Sequence, residues 1–143
     1  MGKEEQTPSE SEWKIMEILW ESGEPLTSAE VIQRMKGDGH MTSKMIRVLM
    51  NRLSQKGLLG YEVDPHDSRV YHYTTLRSRE ECLREKSQRF TDSYFSGNKP
   101  LAATNAMAAL LQSFDLTDEQ LEELEEMLRE KRLILQPPKN KKG

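Results

Sequence analysis

The 143-residue chain lacks several features that mark common classes of protein. It has one cysteine, Cys82, which excludes an internal disulfide. Its three histidines, His40, His66 and His72, are scattered and lack the spacing of metal ligands. It has no run of about 18 apolar residues and no apolar signal-peptide core after its charged start. We therefore expect a cytoplasmic protein with no metal, no cofactor and no direct membrane binding.

The sequence also lacks the residue sets on which common enzymes depend. It contains no recognisable set of Ser, His and carboxylate, no glycine-rich phosphate loop and no paired metal ligands. Its hydrophobic content of 35% is low for a single compact core. The composition therefore predicts a protein that is not an enzyme and that folds as two small lobes or as a dimer.

One segment lacks acidic residues altogether. Between Asp38 and Glu62 the chain has no Asp or Glu, although its net charge is −3. The cations of this segment are Lys44, Arg47, Arg52 and Lys56. An acidic chain disfavours nucleic acid as a partner, because binding phosphates requires a positive surface. The local distribution of charge matters more than the net charge, because a DNA-reading surface requires a concentrated basic patch.

Residues 41–56 are predicted to form an amphipathic helix. Apolar residues recur at i, i+3, i+4 and i+7, the spacing of one buried stripe. This stripe consists of Ile46, Leu49, Met50 and Leu53. The outward face then carries Lys44, Arg47, Val48, Asn51 and Gln55. Thr42 can cap the first turn, and Gly57 ends the helix, so both ends are well defined.

Two helices are predicted before this basic helix. A capping box at Ser9 begins the first, which ends near Gly23. A capping box at Thr27 begins the second, which Gly37 and Gly39 are expected to terminate.

A β-hairpin is predicted after the basic helix. Residues 58–63 and 70–74 have the β-branched and aromatic composition of strands, and residues 64–68 form a turn between them. Three short helices followed by a hairpin predict a winged helix-turn-helix domain over residues 8–76. The fold class is then mostly α with a small β-hairpin, and the third helix enters the DNA major groove.

Residues 77–135 are predicted to be a helical dimerisation domain. A capping box at Ser78 begins a helix that runs to about residue 95, and two more helices follow. They have too few large apolar residues to enclose a core, so we expect them to pack against a second copy. The candidate dimerisation residues are Phe90, Tyr94, Leu110, Leu111, Leu116, Leu121, Leu124 and Leu128. The basic tail, 136–143, is expected to be disordered.

The candidate DNA-binding residues lie on the basic helix and on the wing. They are Thr42, Ser43, Lys44, Arg47, Val48, Asn51 and Arg69. Lys44 and Arg47 contact guanine edges, contact only phosphates, or are merely solvated, as basic residues on an exposed helix often are. Val48 has no core to enter, so it meets a thymine methyl group or is exposed by chance. Asn51 can read adenine, although backbone contact is favoured so late in the helix.

Arg69 has two interpretations of equal weight. On an exposed wing it can reach a phosphate or the minor groove. Alternatively it pairs with Asp64 or Asp67 in the same turn.

Taken together, these residues resemble the penicillinase-repressor and methicillin-resistance-repressor family, with the copper-transport repressors as relatives. The resemblance covers roughly residues 9–133. It is carried by Glu12-Trp13 with Met16, Leu19-Trp20, Lys44, Leu49-Met50-Asn51-Arg52-Leu53, Lys56-Gly57, Arg69 to Tyr73 and Glu80-Glu81-Cys82-Leu83. It implies a homodimeric repressor that binds a two-fold symmetric DNA operator. Met45 stands where many members have Thr, which implies a different operator sequence.

The resemblance also implies a means of release. In the antibiotic-resistance members a membrane sensor metalloprotease signals the drug, and the repressor is cut within its dimerisation segment. Counted back without gaps from Asp115-Leu116, the family's Asn-Phe cleavage pair falls on Ala109-Leu110, and the nearby Asn105 is followed by Ala106. Neither pair has the family's residues. The paired cysteines of the copper-responsive relatives are absent as well.

Three functions remain in competition. The first is a dimeric transcriptional repressor that a signal releases from DNA, with a β-lactam-linked signal as one candidate. The second is a winged-helix regulator that senses a small ligand in a cavity between the wing domain and the alanine-rich helix. The third is a protein-interaction adaptor, since winged helices also serve as docking modules.

Overall fold

The computed structural model describes residues 7–37, 39–95 and 100–135. Along the chain the elements are α1 (Glu10–Ser22), α2 (Ser28–Arg34), α3 (Ser43–Gln55), β1 (Leu59–Val63), β2 (Tyr71–Thr75), α4 (Arg79–Tyr94), α5 (Pro100–Ser113) and α6 (Asp118–Leu135). This order confirms the predicted fold class, mostly α with a small β-hairpin. The first three helices and the hairpin form the winged helix.

The predicted capping boxes are confirmed. At the start of α1 the Ser9 hydroxyl accepts from the Glu12 amide (3.3 Å), and the Glu12 carboxylate accepts from the Ser9 amide (2.9 Å). The same reciprocal pattern begins α2 at Thr27 and α4 at Ser78. Each box satisfies amide groups that a helix start leaves without partners. Short local patterns therefore position three of the helices.

The end of α2 differs from the prediction. Gly37 and Gly39 were expected to terminate this helix, but it ends at Arg34. The Met35 amide donates to the carbonyls of both Val31 and Ile32, which tightens the last turn before either glycine is reached.

The core of the winged helix surrounds α3. Its predicted stripe of Ile46, Leu49, Met50 and Leu53 is buried, none of these side chains being more than 8% exposed. The rest of the buried apolar core comes from neighbouring elements: Ile15, Met16, Leu19, Leu26, Val31, Met35, Leu58, Leu59 and Cys82. Apolar burial of this kind contributes about 1.5–3 kcal/mol for each large side chain. The core thus holds α3 in place from one side only.

The hairpin is joined directly to the helical core. Strands β1 and β2 are antiparallel, with Leu59 opposite Thr75 and Val63 opposite Tyr71. Leu26, in the segment between α1 and α2, exchanges two backbone hydrogen bonds with Tyr73, of 3.0 and 2.8 Å. The wing is therefore fixed relative to the helices at its base.

A partly buried ion pair connects the first turn of α1 to the end of α3. Lys56 Nζ lies 2.7 Å from Glu12 Oε1 and also donates to the Thr7 carbonyl at 3.2 Å. The Glu12 side chain is only 2% exposed. Burial raises the pKa of Glu12, but hydrogen bonds from Lys56 and from the Ser9 amide outweigh it and hold this pKa below its ordinary value. Lys56 was expected to contribute to the basic patch, but its positive charge is paired with the Glu12 carboxylate.

The chain divides into two compact units, Met1–Ser96 and Gly97–Gly143. This boundary differs from the predicted one between residues 76 and 77, because α4 packs on the winged helix. Cys82 is fully buried in the core, Trp20 Nε1 donates to the Arg77 carbonyl (2.9 Å), and Arg79 pairs with Glu17. The first unit therefore contains α4, and the division into DNA-binding and dimerising parts stays a prediction.

The second unit contains α5 and α6, and the described side chains of both helices are exposed or half-buried. Thr117 caps α6 by accepting from the Gln120 amide at 3.1 Å. The predicted disordered tail, 136–143, lies outside the described residues.

The described ranges contain neither a helix suited to span a membrane nor a cluster of metal ligands. Among residues 7–37, 39–95 and 100–135, no helix combines the length and apolar character that crossing a bilayer requires. Over the same ranges, no group of three or more His, Cys, Asp or Glu side chains is arranged to hold a metal ion.

Replacing Lys56 by Met should lower the free energy of unfolding by about 3 kcal/mol at pH 7, because it leaves the Glu12 carboxylate buried without its cation. The pKa of Glu12 is depressed in the folded protein. The stability from this pair is therefore present above the ordinary Glu pKa of about 4.3 and is lost as pH falls through the folded-state pKa. Urea unfolding at a series of pH values should show the difference between wild type and Lys56→Met shrinking on acidification.

Lys44→Met provides the matched control, since Lys44 is an exposed lysine on the same helix. Its effect should stay within about 0.5 kcal/mol at every pH. Equal losses for the two variants would show that the ion pair contributes nothing.

Candidate nucleic-acid interface

The surface of α3 that faces away from the core carries most of the predicted DNA-binding residues. Lys44, Arg47, Val48 and Asn51 are all exposed, and so is Ser43 at the first helical position. Thr42 is the N-cap, and its hydroxyl accepts from the Met45 amide at 3.1 Å. The hydroxyl of Thr42 therefore stabilises the helix start, and the exposed side chains form one continuous surface.

Arg47 has a partner that sequence analysis did not identify. Its Nη1 donates to the hydroxyl of Ser28, the first residue of α2, at 2.8 Å. This bond holds the guanidinium at the start of α2. Nothing local in the sequence signals it, because the two residues are 19 positions apart.

A groove of about 500 Å³ lies between the start of α2, α3 and the wing. Its lining includes Thr27, Ser28, Arg47, Arg69, Tyr71 and Tyr73. Two arginines and several hydroxyl groups therefore share one concave surface. Guanidinium and hydroxyl groups are suited to bind phosphate oxygens.

The turn of the wing is organised by Asp64. Its carboxylate accepts from the amides of His66 (2.8 Å) and Asp67 (3.0 Å), and His72 Nε2 lies 2.8 Å away. The hydrogen bond with His72 is the largest of the effects that hold the pKa of Asp64 below its ordinary value. These contacts fix the conformation of the turn on which Arg69 is placed.

Arg69 pairs with Asp67, one of the two alternatives that the sequence left open. Its Nε and Nη2 lie 3.1 and 3.2 Å from the two Asp67 carboxylate oxygens. The hydrogen bond from Arg69 is the main cause of the lowered pKa of Asp67. The Arg69 side chain is nevertheless 87% exposed, and such exposed pairs are weak. Arg69 is therefore available to a phosphate that competes with Asp67.

Three tyrosines on one face of the hairpin were not predicted as site residues. Tyr61 and Tyr71 stack with ring centroids 4.4 Å apart and planes 4° apart, and Tyr73 lies opposite Tyr61 in the register. Burial raises the pKa of Tyr73, which packs on the core. Side chains alternate between the two faces of a strand, so residues 61 and 63 of β1 and residues 71 and 73 of β2 share one face of the hairpin. This alternation can be recognised in the sequence.

A second, shallower hollow of about 330 Å³ lies on the other flank of α3. It is lined by Ser11, Thr42, Lys44, Met45, Val48 and Arg52, together with Leu49. Met45 and Val48, two apolar side chains on this basic surface, are 43% and 46% exposed. The two flanks of α3 therefore differ in character: one is cationic and polar, and the other has an apolar floor between cations.

The predicted dimerisation residues fall in both units. Phe90 and Tyr94 on α4 are exposed, with ring centroids 5.1 Å apart. Of the predicted dimerisation leucines in the second unit, Leu110, Leu111, Leu121 and Leu128 are exposed, and Leu116 and Leu124 are half-buried.

The candidate cleavage residues lie in helical backbone. Asn105, Ala106, Ala109 and Leu110 all belong to α5, and only Ala106 among them is half-buried rather than exposed. A protease that requires an extended substrate would therefore have to unwind this part of α5.

The chain was compared with protein families and with curated protein sequences. The family model described as "Penicillinase repressor" matches residues 8–130. An uncharacterised 16.5 kDa protein in the ptsI 3' region of Latilactobacillus sakei is 26% identical over 121 residues, which is 85% of this chain and 77% of that protein.

Several solved structures are similar to the chain. The solution structure of the DNA-binding domain of the repressor BlaI has 24% identity and a TM-score of 0.46, over 56% of this chain and 93% of that one. YusO from Bacillus subtilis has 21% identity and a TM-score of 0.46, over 92% and 78% of the two chains. A mutant of MarR from E. coli, complexed with operator DNA, has 15% identity and a TM-score of 0.46, over 85% and 74%.

The family match extends from the residue before the first capping box into the last helix, and so includes both the winged helix and the helices that follow it. Because this match covers most of the 143 residues, the chain belongs to the penicillinase repressor family of DNA-binding transcriptional regulators.

Proposed function

We propose that the protein is a dimeric transcriptional repressor that binds a two-fold symmetric DNA operator and is released from it by a signal. The observation that carries this proposal is the exposed basic face of α3 beside a groove that contains Arg47 and Arg69. In winged-helix proteins the corresponding helix enters the major groove. Family membership supports the same assignment.

The charge distribution supports DNA as the partner. Of the cations in the acid-free segment, Lys44, Arg47 and Arg52 remain exposed, whereas Lys56 is bound by Glu12. The exposed ones project from a single helix in a chain whose net charge is −3. A patch this focused attracts a polyanion locally even though the protein as a whole is acidic.

Within this interface we assign Arg47 to the DNA backbone. The hydrogen bond to Ser28 places its guanidinium at the groove between α2, α3 and the wing, which it shares with Arg69. A helix in the major groove has a sugar-phosphate strand along each side, so this groove is positioned to receive phosphates. Direct reading of bases then falls to Lys44, Val48 and Asn51.

Dimerisation is supported by the apolar surface that the second unit leaves exposed. Leu128 is 70% exposed, Met107 is 64% and Phe114 is 63%. Two helices with this much exposed apolar surface gain free energy by packing against a partner, and a symmetric pair is the commonest arrangement. The partner we propose is a second copy of the chain.

The signal for release is a further part of the proposal. Membership of the penicillinase repressor family favours a β-lactam-linked signal, with a membrane sensor protease as the partner that transmits it. Cleavage at Asn105-Ala106 or Ala109-Leu110 would first require local unwinding of α5. A rise in sensitivity to proteolysis on removal of the dimer contacts would support that order of events.

Arg47→Ala should weaken binding to all duplexes by a similar factor, because the lost contact is to a phosphate. The slope of log K against log salt concentration should fall by about 0.9, the value for one phosphate contact on duplex DNA. Titrations of wild type and variant against a specific and a random duplex at several salt concentrations measure both quantities.

Arg84→Ala is the matched control, since Arg84 is an exposed arginine on α4 outside both flanks of α3. Its salt slope should equal that of wild type. A changed sequence preference in Arg47→Ala, with the slope unaltered, would mean that Arg47 reads a base.

Leu124→Asp should dissociate the dimer and weaken operator binding indirectly, because it places a charge in the apolar stripe of α6 that also contains Leu121 and Leu128. Sedimentation equilibrium and DNA titration on the same samples measure the two effects. The loss in DNA affinity should diminish at protein concentrations that restore the dimer.

The control is Glu123→Ala, an exposed position on the same helix but off the stripe. It should leave dimerisation unchanged. If Leu124→Asp remains as dimeric as Glu123→Ala, then this stripe is not the dimer interface.

A further inference from the structure

The hollow on the α1-facing flank of α3 carries an inference about sequence recognition. Its apolar floor includes Met45 and Val48, which are 43% and 46% exposed. They are three residues apart and so lie on the same side of the helix, outside the buried stripe. Both are large apolar residues with no core to enter, so both are available to an apolar group of a ligand.

The surroundings of this apolar pair restrict the chemistry of its partner. Lys44 and Arg52 line the same hollow, each four residues from Val48 along the helix. The described neighbours contribute hydroxyl groups from Ser11 and Thr42 and no carboxylate. A partner that fits this hollow therefore presents a small apolar group with negative charges on both sides of it. The major groove of DNA, with its base edges between two phosphate strands, fits this description better than a protein or lipid surface.

One group on the major-groove edge of the base pairs has these properties. Thymine presents a methyl group at C5, the only apolar substituent that unmodified base pairs display there. Neither Met45 nor Val48 can donate a hydrogen bond, so a methyl contact is the mode of reading open to them. Val48 presents its two methyl groups in a restricted rotamer, while the flexible Met45 side chain can follow the surface of the base.

We propose that Met45 and Val48 form a site that recognises the 5-methyl group of pyrimidines, and hence thymine in unmodified DNA. The proposal rests on the proposed function, since it requires α3 to lie in the major groove. Lys44 and Arg52 contact phosphates or base edges on either side of the methyl group. Sequence preference at these positions is then set by shape and apolar contact.

The test uses the full-length protein and the tightest-binding duplex selected from a random library. Each thymine of that duplex is replaced in turn by deoxyuridine, which removes only the methyl group. We expect a loss of about fourfold in affinity at one or two thymines in each half-site, the effect of removing one methyl group from an apolar contact. In Val48→Ala and Met45→Ala the same replacement should have less effect, because the site that reads the methyl group is lost.

Val63→Ala is the matched control. Val63 is 48% exposed on β1, so it matches Val48 in residue type and exposure but lies outside the hollow. This variant should keep the full sensitivity to deoxyuridine. Thermal unfolding by circular dichroism should show all three variants to be folded, since each replaces an exposed side chain.

The outcomes separate the proposal from the proposed function. Selective binding that no deoxyuridine replacement weakens would overturn the methyl site and leave the repressor intact. Equal sensitivity in Val48→Ala, Met45→Ala and wild type would also overturn it. Failure of the library to yield any preferred duplex would contradict the proposed function itself. Binding weakened by deoxyuridine in wild type and Val63→Ala, but not in the other two variants, would support the methyl site.

Discussion

The burial of one side of α3 is the constraint on which the rest of the winged helix depends. Ile46, Leu49, Met50 and Leu53 are held by apolar side chains from α1, α2 and β1, so the helix cannot rotate without exposing them. The opposite side is therefore presented to solvent in one fixed orientation. A DNA-reading surface needs this rigidity, because a small displacement of the helix would move several side chains away from the base edges at once. In the proposed function the core contributes to recognition by holding α3 in this orientation.

Around this helix, ion pairs with acidic residues determine which basic side chains remain free to bind an external anion. Glu12 binds Lys56 inside the fold, and Asp67 pairs with Arg69 at the surface. The first pair is partly buried and structural, whereas the second is exposed and weak enough to be exchanged for a phosphate. Arg47 is held by the neutral hydroxyl of Ser28, which orients the guanidinium without neutralising it. The proposed interface thus retains its positive charge in an acidic protein, and its two flanks differ in chemical character.

Much of the fold followed from local sequence patterns. The capping boxes at Ser9, Thr27 and Ser78 and the period of the α3 stripe located helices whose starts are fixed within a few residues. The contacts that shape the site are long-range and escaped prediction: Arg47 to Ser28 spans 19 residues, Lys56 to Glu12 spans 44, and Trp20 to Arg77 spans 57. Periodicity indicates which side of a helix is buried but does not identify the partner across the fold. For this reason the attachment of α4 to the winged helix and the orientation of Arg47 became apparent only in three dimensions.

The central claim is that the exposed face of α3 reads DNA sequence as part of a dimer. The most direct test is a titration of the purified protein against a duplex from the region upstream of its own gene, beside a scrambled duplex, at two salt concentrations. We predict tight binding of one dimer to the upstream duplex, with a preference over the scrambled duplex that persists at the higher salt. Weak and equal binding to both duplexes, lost on raising the salt, would reflect phosphate attraction alone and would contradict the claim.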